Sequence, residues 1–286
     1  MITLLNKIKN ELIRFKNRLF PPPPIQKTYY SEEQLLEGMN PSKSKKQSVI
    51  VFTTFKSAST FISKFLKTIT EETDYLSANF DAYFTLEKKM RFNKWFDDKN
   101  FLKTAFHSKG YIYGPFRAFI NTPKTDEYKF LLFLRDPRDV LISYYYSIAY
   151  SHPIVIDIMS KLREDALNSS IDEHVLKTSD FLLKVYTDYK KLSEENEVIY
   201  LKYSDMIADP QKFLNNIQNS LGIKLKKETI NKILVEELQS PKQEEDIYAH
   251  RRSGKTGQYK DKLKPETIEI LNEKFKDVIQ YFELDT

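Results

Sequence analysis

The sequence predicts an α/β domain built on a central, mainly parallel β-sheet with helices on both faces. Three observations carry that expectation. Runs rich in β-branched and aromatic residues, of the kind buried strands use, recur along the chain. Segments with helical spacing separate them, so strand and helix alternate. Two strand–helix turns, at 55–61 and 134–139, concentrate lysine, arginine and hydroxyl side chains.

The first strand is SVIVFTTF (48–55), and STFISKFLKTITEE after it has the spacing of a helix. KNFLKTAFHS (99–108) is expected as the second strand, YKFLLFLRD (128–136) as the third and EVIYLKYSD (197–205) as the fourth. Helices are expected over 137–150, 172–193, 209–220, 226–238 and 265–283. The polar stretch PSKSKKQ (41–47) reads as loop, and no internal repeat is visible.

A chain of 286 residues with 41% hydrophobic content can bury a sizeable core. It has no cysteine, which excludes disulfides, thiolate metal sites and cysteine nucleophiles and fits a reducing compartment. His107, His152, His174 and His250 are scattered, with no metal-spaced pair, so no metal is expected. The net charge of +5 is spread among 40 acidic residues. That suits a polyanionic small molecule better than nucleic acid, which calls for a denser basic stripe.

Met1, Leu5, Ile8, Leu12, Phe15 and Leu19 fall on one stripe of a helix, and Pro21 to Pro24 end it in an extended spacer. Charges interrupt this segment throughout, so it is neither a membrane span nor a secretory signal. Residues 1–25 are therefore expected as an appended amphipathic helix and Pro-rich spacer on a domain at 26–286. The stripe could pack on that domain, on a partner helix or on a membrane surface. The location expected is cytoplasmic, peripheral to a membrane if the stripe binds one.

Lys56, Ser57, Ala58, Ser59, Thr60 and Phe61 join the first strand to its helix. A helix N-terminus with a lysine and hydroxyls attracts phosphate or sulfate, although serine and threonine are also ordinary caps. The glycines of a nucleotide triphosphatase loop are missing. In Leu134-Arg135-Asp136-Pro137-Arg138-Asp139, Asp136 and Pro137 suit a helix start. Arg135 stands at the carboxyl end of a buried strand, the edge where open α/β sheets bind ligands. Its guanidinium suits bidentate phosphate contact, and Ser143 could add a donor.

Together these segments resemble the PAPS-dependent sulfotransferase family. Thr53-Thr54-Phe55-Lys56-Ser57-Ala58-Ser59-Thr60-Phe61 is similar to its phosphosulfate loop T-Y-P-K-S-G-T-T-W. Arg135, Pro137, Asp139, Ser143, Tyr144 and Tyr145 match its R-x-P-x-D-x-x-x-S-Y-Y segment, and His152-Pro153 a common downstream His-Pro. Tyr200-Leu201-Lys202-Tyr203-Ser204-Asp205 resembles Y-L-x-Y-E-D, and 252–260 resembles R-K-G-x-x-G-D-W-K. The four motifs keep their order over about residues 48–265.

The resemblance implies a P-loop-NTPase-like sulfotransferase fold. It implies transfer of a sulfuryl group from 3′-phosphoadenosine-5′-phosphosulfate (PAPS) to a hydroxyl or amine acceptor, releasing 3′-phosphoadenosine-5′-phosphate (PAP), without a metal. Residues 56–61 with Arg135, Ser143, Tyr203, Arg252, Ser253 and Gly254 would hold the donor. Lys56 would meet the charge on the leaving phosphate. Ala58 in place of glycine implies that φ stays negative there. Ser253 replaces a lysine, with Arg251 or Lys255 as substitutes, and Lys264-Pro265 interrupts a dimer motif that survives at Lys260 and Glu269.

Relatives carry their base in a K-T-H segment of the second strand. Here Lys103-Thr104-Ala105 occupies it, and His107 lies two residues, roughly 7 Å, further along the same expected strand face. His107 is the expected base and Lys103 a further catalytic group. Arg117 would guide an acidic acceptor or form a surface salt bridge. A nucleotide kinase and a non-catalytic nucleotide-binding module are the competing readings, and the acceptor's identity stays open.

Overall fold

The structure is a computed structural model that describes residues 30–89, 99–121, 125–153, 158–238, 246–247 and 254–284. The amphipathic segment and spacer at 1–25, and Arg251, Arg252 and Ser253, lie outside the described residues.

Five parallel strands form one sheet in the order β2-β3-β1-β4-β5. They are β1 (Val49–Thr53), β2 (Leu76–Ala78), β3 (Tyr111–Phe116), β4 (Lys129–Leu134) and β5 (Val198–Lys202). Every residue of the central β1 is buried, as a strand covered on both faces requires. The chain builds β2 and β3 on one side of β1 and then crosses to β4 on the other. That reversal opens a crevice beyond the carboxyl end of β1.

Eleven described helices are labelled. They are α1 (Tyr30–Leu36), α2 (Ser59–Glu72), α3 (Lys99–Ala105), α4 (Pro137–Tyr146), α5 (Ile158–Leu167) and α6 (Ile171–Glu195). After β5 come α7 (Tyr203–Ala208), α8 (Pro210–Leu221), α9 (Lys227–Ile233), α10 (Tyr259–Lys262) and α11 (Pro265–Phe282). Along β1 and β4 the side chains alternate between two cores. Val49, Val51, Leu131 and Phe133 face a cluster with Phe61, Ile62, Phe65, Leu66 and Ile69 of α2, joined by Phe213, Leu214 and Ile217 of α8. Phe52 faces the other side, 5.6 Å from the ring of Tyr189 on α6.

Local signals set the helix ends. Ser170 and Glu173 form a capping box at the start of α6. Pro210 and Pro265 open α8 and α11, and Gly222 ends α8 in the left-handed region. Among the described residues no helix is long and apolar enough to cross a membrane.

The segment 99–108 corrects the expectation of a second strand. Phe101, Leu102, Ala105 and Phe106 are buried at helical spacing, and Lys99–Ala105 is the helix α3. Its aromatics pack on Phe80 and Tyr113. The strand beside β1 on this side is β3, which starts just after that segment, at Tyr111, and β2 also escaped the sequence reading. Within β3, Gly114 and Pro115 look like breakers, and they are joined by a cis peptide bond.

Gly114 has φ +104, and a Cβ there would stand 2.5 Å from the Val51 carbonyl oxygen and 2.8 Å from Phe116 N. Both neighbours are backbone and cannot rotate away. We expect Gly114→Ala to lose at least the ~1–3 kcal/mol typical of overpacking, read as the urea midpoint. An unchanged midpoint would mean that β1 and β3 can separate at no cost.

Candidate active site

The β1–α2 turn folds around its own side chains. Thr54 Oγ1 and Ser57 Oγ share a 2.5 Å hydrogen bond, and both residues are fully buried. Ser57 thus braces the loop from within. Lys56 (φ 63) and Ala58 (φ 55) both take left-handed conformations. This overturns the expectation that alanine keeps φ negative: the turn imposes the conformation glycine would favour, and Ala58 bears the strain. We expect Ala58→Gly to shift stability by no more than about 1 kcal/mol, because relief of ~1–2 kcal/mol of strain opposes ~0.4–1 kcal/mol of unfolded-chain entropy. Calorimetric unfolding measures it. A larger loss would show that the Ala58 methyl is needed in the α2 core it touches.

The turn delivers an uncapped helix end. Ala58 provides no side-chain cap to α2, and the first intrahelical bond runs from Ile62 N to Ala58 O at 3.0 Å. The N–H groups of Ser59, Thr60 and Phe61 therefore have no partner within the helix. These three residues line a cavity of about 540 Å³ at the carboxyl edge of the sheet. Lys56, Ala58, Ser59, Thr60, Phe61, Arg135, Ser143, Tyr203 and Gly254, all expected at the site, line this one cavity.

Arg135 is its most constrained cation. It is 5% exposed. Its Nη1 donates to the Lys56 carbonyl at 3.3 Å and its Nη2 to the Lys255 carbonyl at 2.7 Å. Asp139 lies 3.5 Å from Nη2, and the guanidinium stacks 4.5 Å over the Tyr203 ring. Arg135 Nε is buried without a hydrogen-bond partner. Asp139 accepts from Gly257 N at 2.8 Å and Tyr259 N at 3.2 Å, and Tyr203 donates to Gly254 O at 3.2 Å. The C-terminal segment is thereby clasped to the starts of α4 and α7, just beyond β4 and β5. Tyr203 itself opens α7 rather than ending a strand. Arg138, with a 2.6 Å ion pair to Asp136, serves the fold.

Two tyrosines of α6 fix the strand ends. Tyr189 donates to the Thr53 carbonyl at 2.6 Å, and Tyr186 to the Arg135 carbonyl. Burial raises both phenols above their ordinary range, so they stay neutral donors.

His107 and Lys103 do not line the cavity. Ser48 N, just before β1, donates to Ser108 O at 2.8 Å, which places His107 beside the amino end of the sheet. The cavity lies at the opposite end, five residues of β1 away at roughly 3.3 Å each. The expected shared face failed because 99–105 is helical: Lys103 is exposed, and His107 Nε2 is buried without a hydrogen-bond partner. The histidine in the cavity is His152. Arg117, just past β3, also lines it and reaches Asp81 at 3.4 Å.

The reversed strand order, the uncapped helix and the buried arginine together form an α/β crevice suited to an anionic group. Residues 46–283 match the family described as "Sulfotransferase domain". The chain belongs to that family and is a PAPS-dependent sulfotransferase.

Solved structures share the fold. Retinol dehydratase in complex with androsterone and inactive cofactor PAP is 15% identical, with a TM-score of 0.53 over 87% of this chain and 86% of that one. The same enzyme with retinol and PAP is 14% identical, with a TM-score of 0.51 and the same coverage. Sulfotransferase STF9 from Mycobacterium avium is 12% identical, with a TM-score of 0.50 over 88% of this chain and 80% of that one. At these identities the likeness is one of fold. No curated protein matches the chain.

Proposed function

We propose that the enzyme transfers the sulfuryl group of PAPS to a hydroxyl on a largely apolar small molecule. The observation that carries this reading is a single cavity whose lining combines two unlike sets of side chains. One set is Lys56, the uncapped α2 terminus, Arg135 and Ser143. The other is apolar and aromatic: Phe55, Tyr144, Ile148, Ile158, Met159 and Leu162.

The residues fit the donor. The partnerless Nε of buried Arg135 and the open N–H groups of α2 both call for an anion. Arg135 and Ser143 would bind the 3′-phosphate, and residues 56–61 the 5′-phosphosulfate, with Ser57 contributing through the loop it braces. Gly254 would border the nucleotide beside Tyr203, with Arg252 and Ser253 next to it in sequence. PAPS supplies a sulfuryl group carried on a phosphate leaving group. Lys56 would meet the charge that develops on that phosphate.

Phe55 and Tyr144 are 4.6 Å apart, ring to ring, so an acceptor's apolar body meets a rigid aromatic wall. Retinol dehydratase has been solved with retinol and with androsterone, both apolar alcohols. PAPS labelled in its sulfur and a pool of phenols, sterols, retinoids and sugars provide the test. Label should pass to an apolar alcohol or phenol, and terminally labelled ATP should transfer nothing. Label found only on sugars would overturn the apolar acceptor. Transfer from ATP alone would favour the kinase.

A further inference from the structure

We propose that His152 is the base that takes the acceptor's proton, acting through Nε2. This rests on the sulfuryl-transfer reading above. Among the described residues lining the cavity, two side chains can accept a proton near neutral pH, His152 and Glu237. Glu237 is engaged by Lys64 at 2.8 Å, on the α2 side. His152 stands next to the apolar wall, at the end of the helical run that α4 begins and a wide turn, Ser147–Ser151, completes.

The backbone there is held on both sides. His152 N donates to Ser147 O at 2.7 Å. Arg163 donates to the His152 carbonyl, and to Ile148 O at 2.9 Å. Ser147 Oγ in turn accepts from Lys56 Nζ at 3.1 Å. One serine thus ties the lysine of the phosphosulfate loop to the backbone that carries the imidazole.

The ring's tautomer follows from its partner. His152 Nδ1 lies 2.8 Å from the Pro153 carbonyl oxygen. A carbonyl can only accept, so Nδ1 carries the proton and the neutral ring presents a lone pair at Nε2. Burial lowers the pKa of His152. The Pro153 carbonyl opposes that, while Lys56, Arg117 and Arg163 lower it further. These three cations come from the β1–α2 loop, the end of β3 and α5. The imidazole is therefore neutral at physiological pH and competent to accept.

As the acceptor oxygen bonds to sulfur, its proton passes to Nε2. The bond from sulfur to the donor's phosphate oxygen breaks, and its electron pair leaves with that oxygen, opposite Lys56. The imidazolium then returns its proton to water.

The test compares wild type, His152→Gln and His152→Ala on two acceptors, androsterone, an aliphatic alcohol, and 4-nitrophenol, an acidic phenol. With androsterone, turnover of both variants should fall by roughly 10²–10⁴-fold, the span of general-base catalysis. With 4-nitrophenol the deficit should shrink, because that acceptor is already partly ionised. PAP affinity by calorimetry should change less than about threefold, which also shows that the variants fold. The wild-type rate should rise with pH through an ionisation below the ordinary histidine value, and the variants should lose that limb. Added imidazole should restore part of the His152→Ala rate.

Near-normal turnover with androsterone would overturn the assignment. So would a retained pH limb, or equal deficits with both acceptors, which would mark a positioning role. A wild type that transfers label from PAPS to neither acceptor nor any pooled compound would instead defeat the sulfuryl-transfer reading itself, and this proposal with it.

Discussion

Lys56→Ala should reduce turnover about 10²–10³-fold, the range for losing one preorganised group that stabilises transition-state charge, while PAP binding weakens far less. The separation follows from when the charge forms. In the donor the bridging oxygen is shared between sulfur and phosphorus. Only as sulfur departs does the oxygen acquire the charge that an ammonium at the mouth of the β1–α2 loop can stabilise. Lys56 is aimed by its backbone, held at φ 63, and by its 3.1 Å bond to Ser147 Oγ. Lys56→Arg keeps the charge but replaces a compact ammonium with a planar fork, so it should recover only part of the rate. Single-turnover rates with labelled PAPS, beside PAP calorimetry, make the distinction. If kcat stays within threefold while PAP affinity collapses, Lys56 binds the ground state and another group meets the leaving phosphate.

How far the sequence revealed this arrangement depends on the range of the forces involved. The segment 48–72 was legible because a β-branched run and a helical apolar face are local patterns, and β1 and α2 fall where those patterns end. Of the nine lining residues, those at 56–61, Arg135 and Ser143 were nameable because their motifs are short and belong to two strand–helix turns, whereas Tyr203 and Gly254 were named only through the family resemblance. β3 was hidden by Gly114-Pro115, which read as a break when sequence is all there is. Only the sheet shows that Gly114 allows the backbone of β3 to pass the Val51 carbonyl. With 99–105 helical, the strand face expected to carry Lys103 and His107 does not exist, and His107 stands at the end of the sheet away from the cavity. His152 could be placed next to Lys56 only by folding, since the bond from Lys56 to Ser147 spans 91 residues. The left-handed Ala58 was illegible for the opposite reason: propensity predicts the unstrained state, and the loop overrides it.

Arg135→Ala should remove most of the preference for PAP over ADP, which lacks the 3′-phosphate, leaving the part that Ser143 supplies. Its cost in PAP binding should be about 1.5–3 kcal/mol, the range for hydrogen bonds to a charged group, or roughly 10–150-fold in Kd. ADP affinity should change much less, because the lost contact is with the phosphate ADP does not have. The structure adds a stability cost. Arg135 closes a ring of contacts among the Lys56 carbonyl, the Lys255 carbonyl, Asp139 and Tyr203. Its removal leaves the buried Asp139 carboxylate without its nearest cation, and breaking such a pair costs about 3–5 kcal/mol. Two backbone N–H donors remain on Asp139, so the lower end of that range is expected. Arg135→Lys separates the two roles: it should restore much of the stability, but a point charge cannot keep both carbonyls and also address a phosphate. Ser143→Ala, which leaves the ring intact, should weaken PAP and spare both ADP and stability. Calorimetry with the two nucleotides and urea unfolding of the same preparations give every quantity. Equal loss of PAP and ADP affinity in Arg135→Ala would show that the ring, and not the 3′-phosphate, is what Arg135 serves.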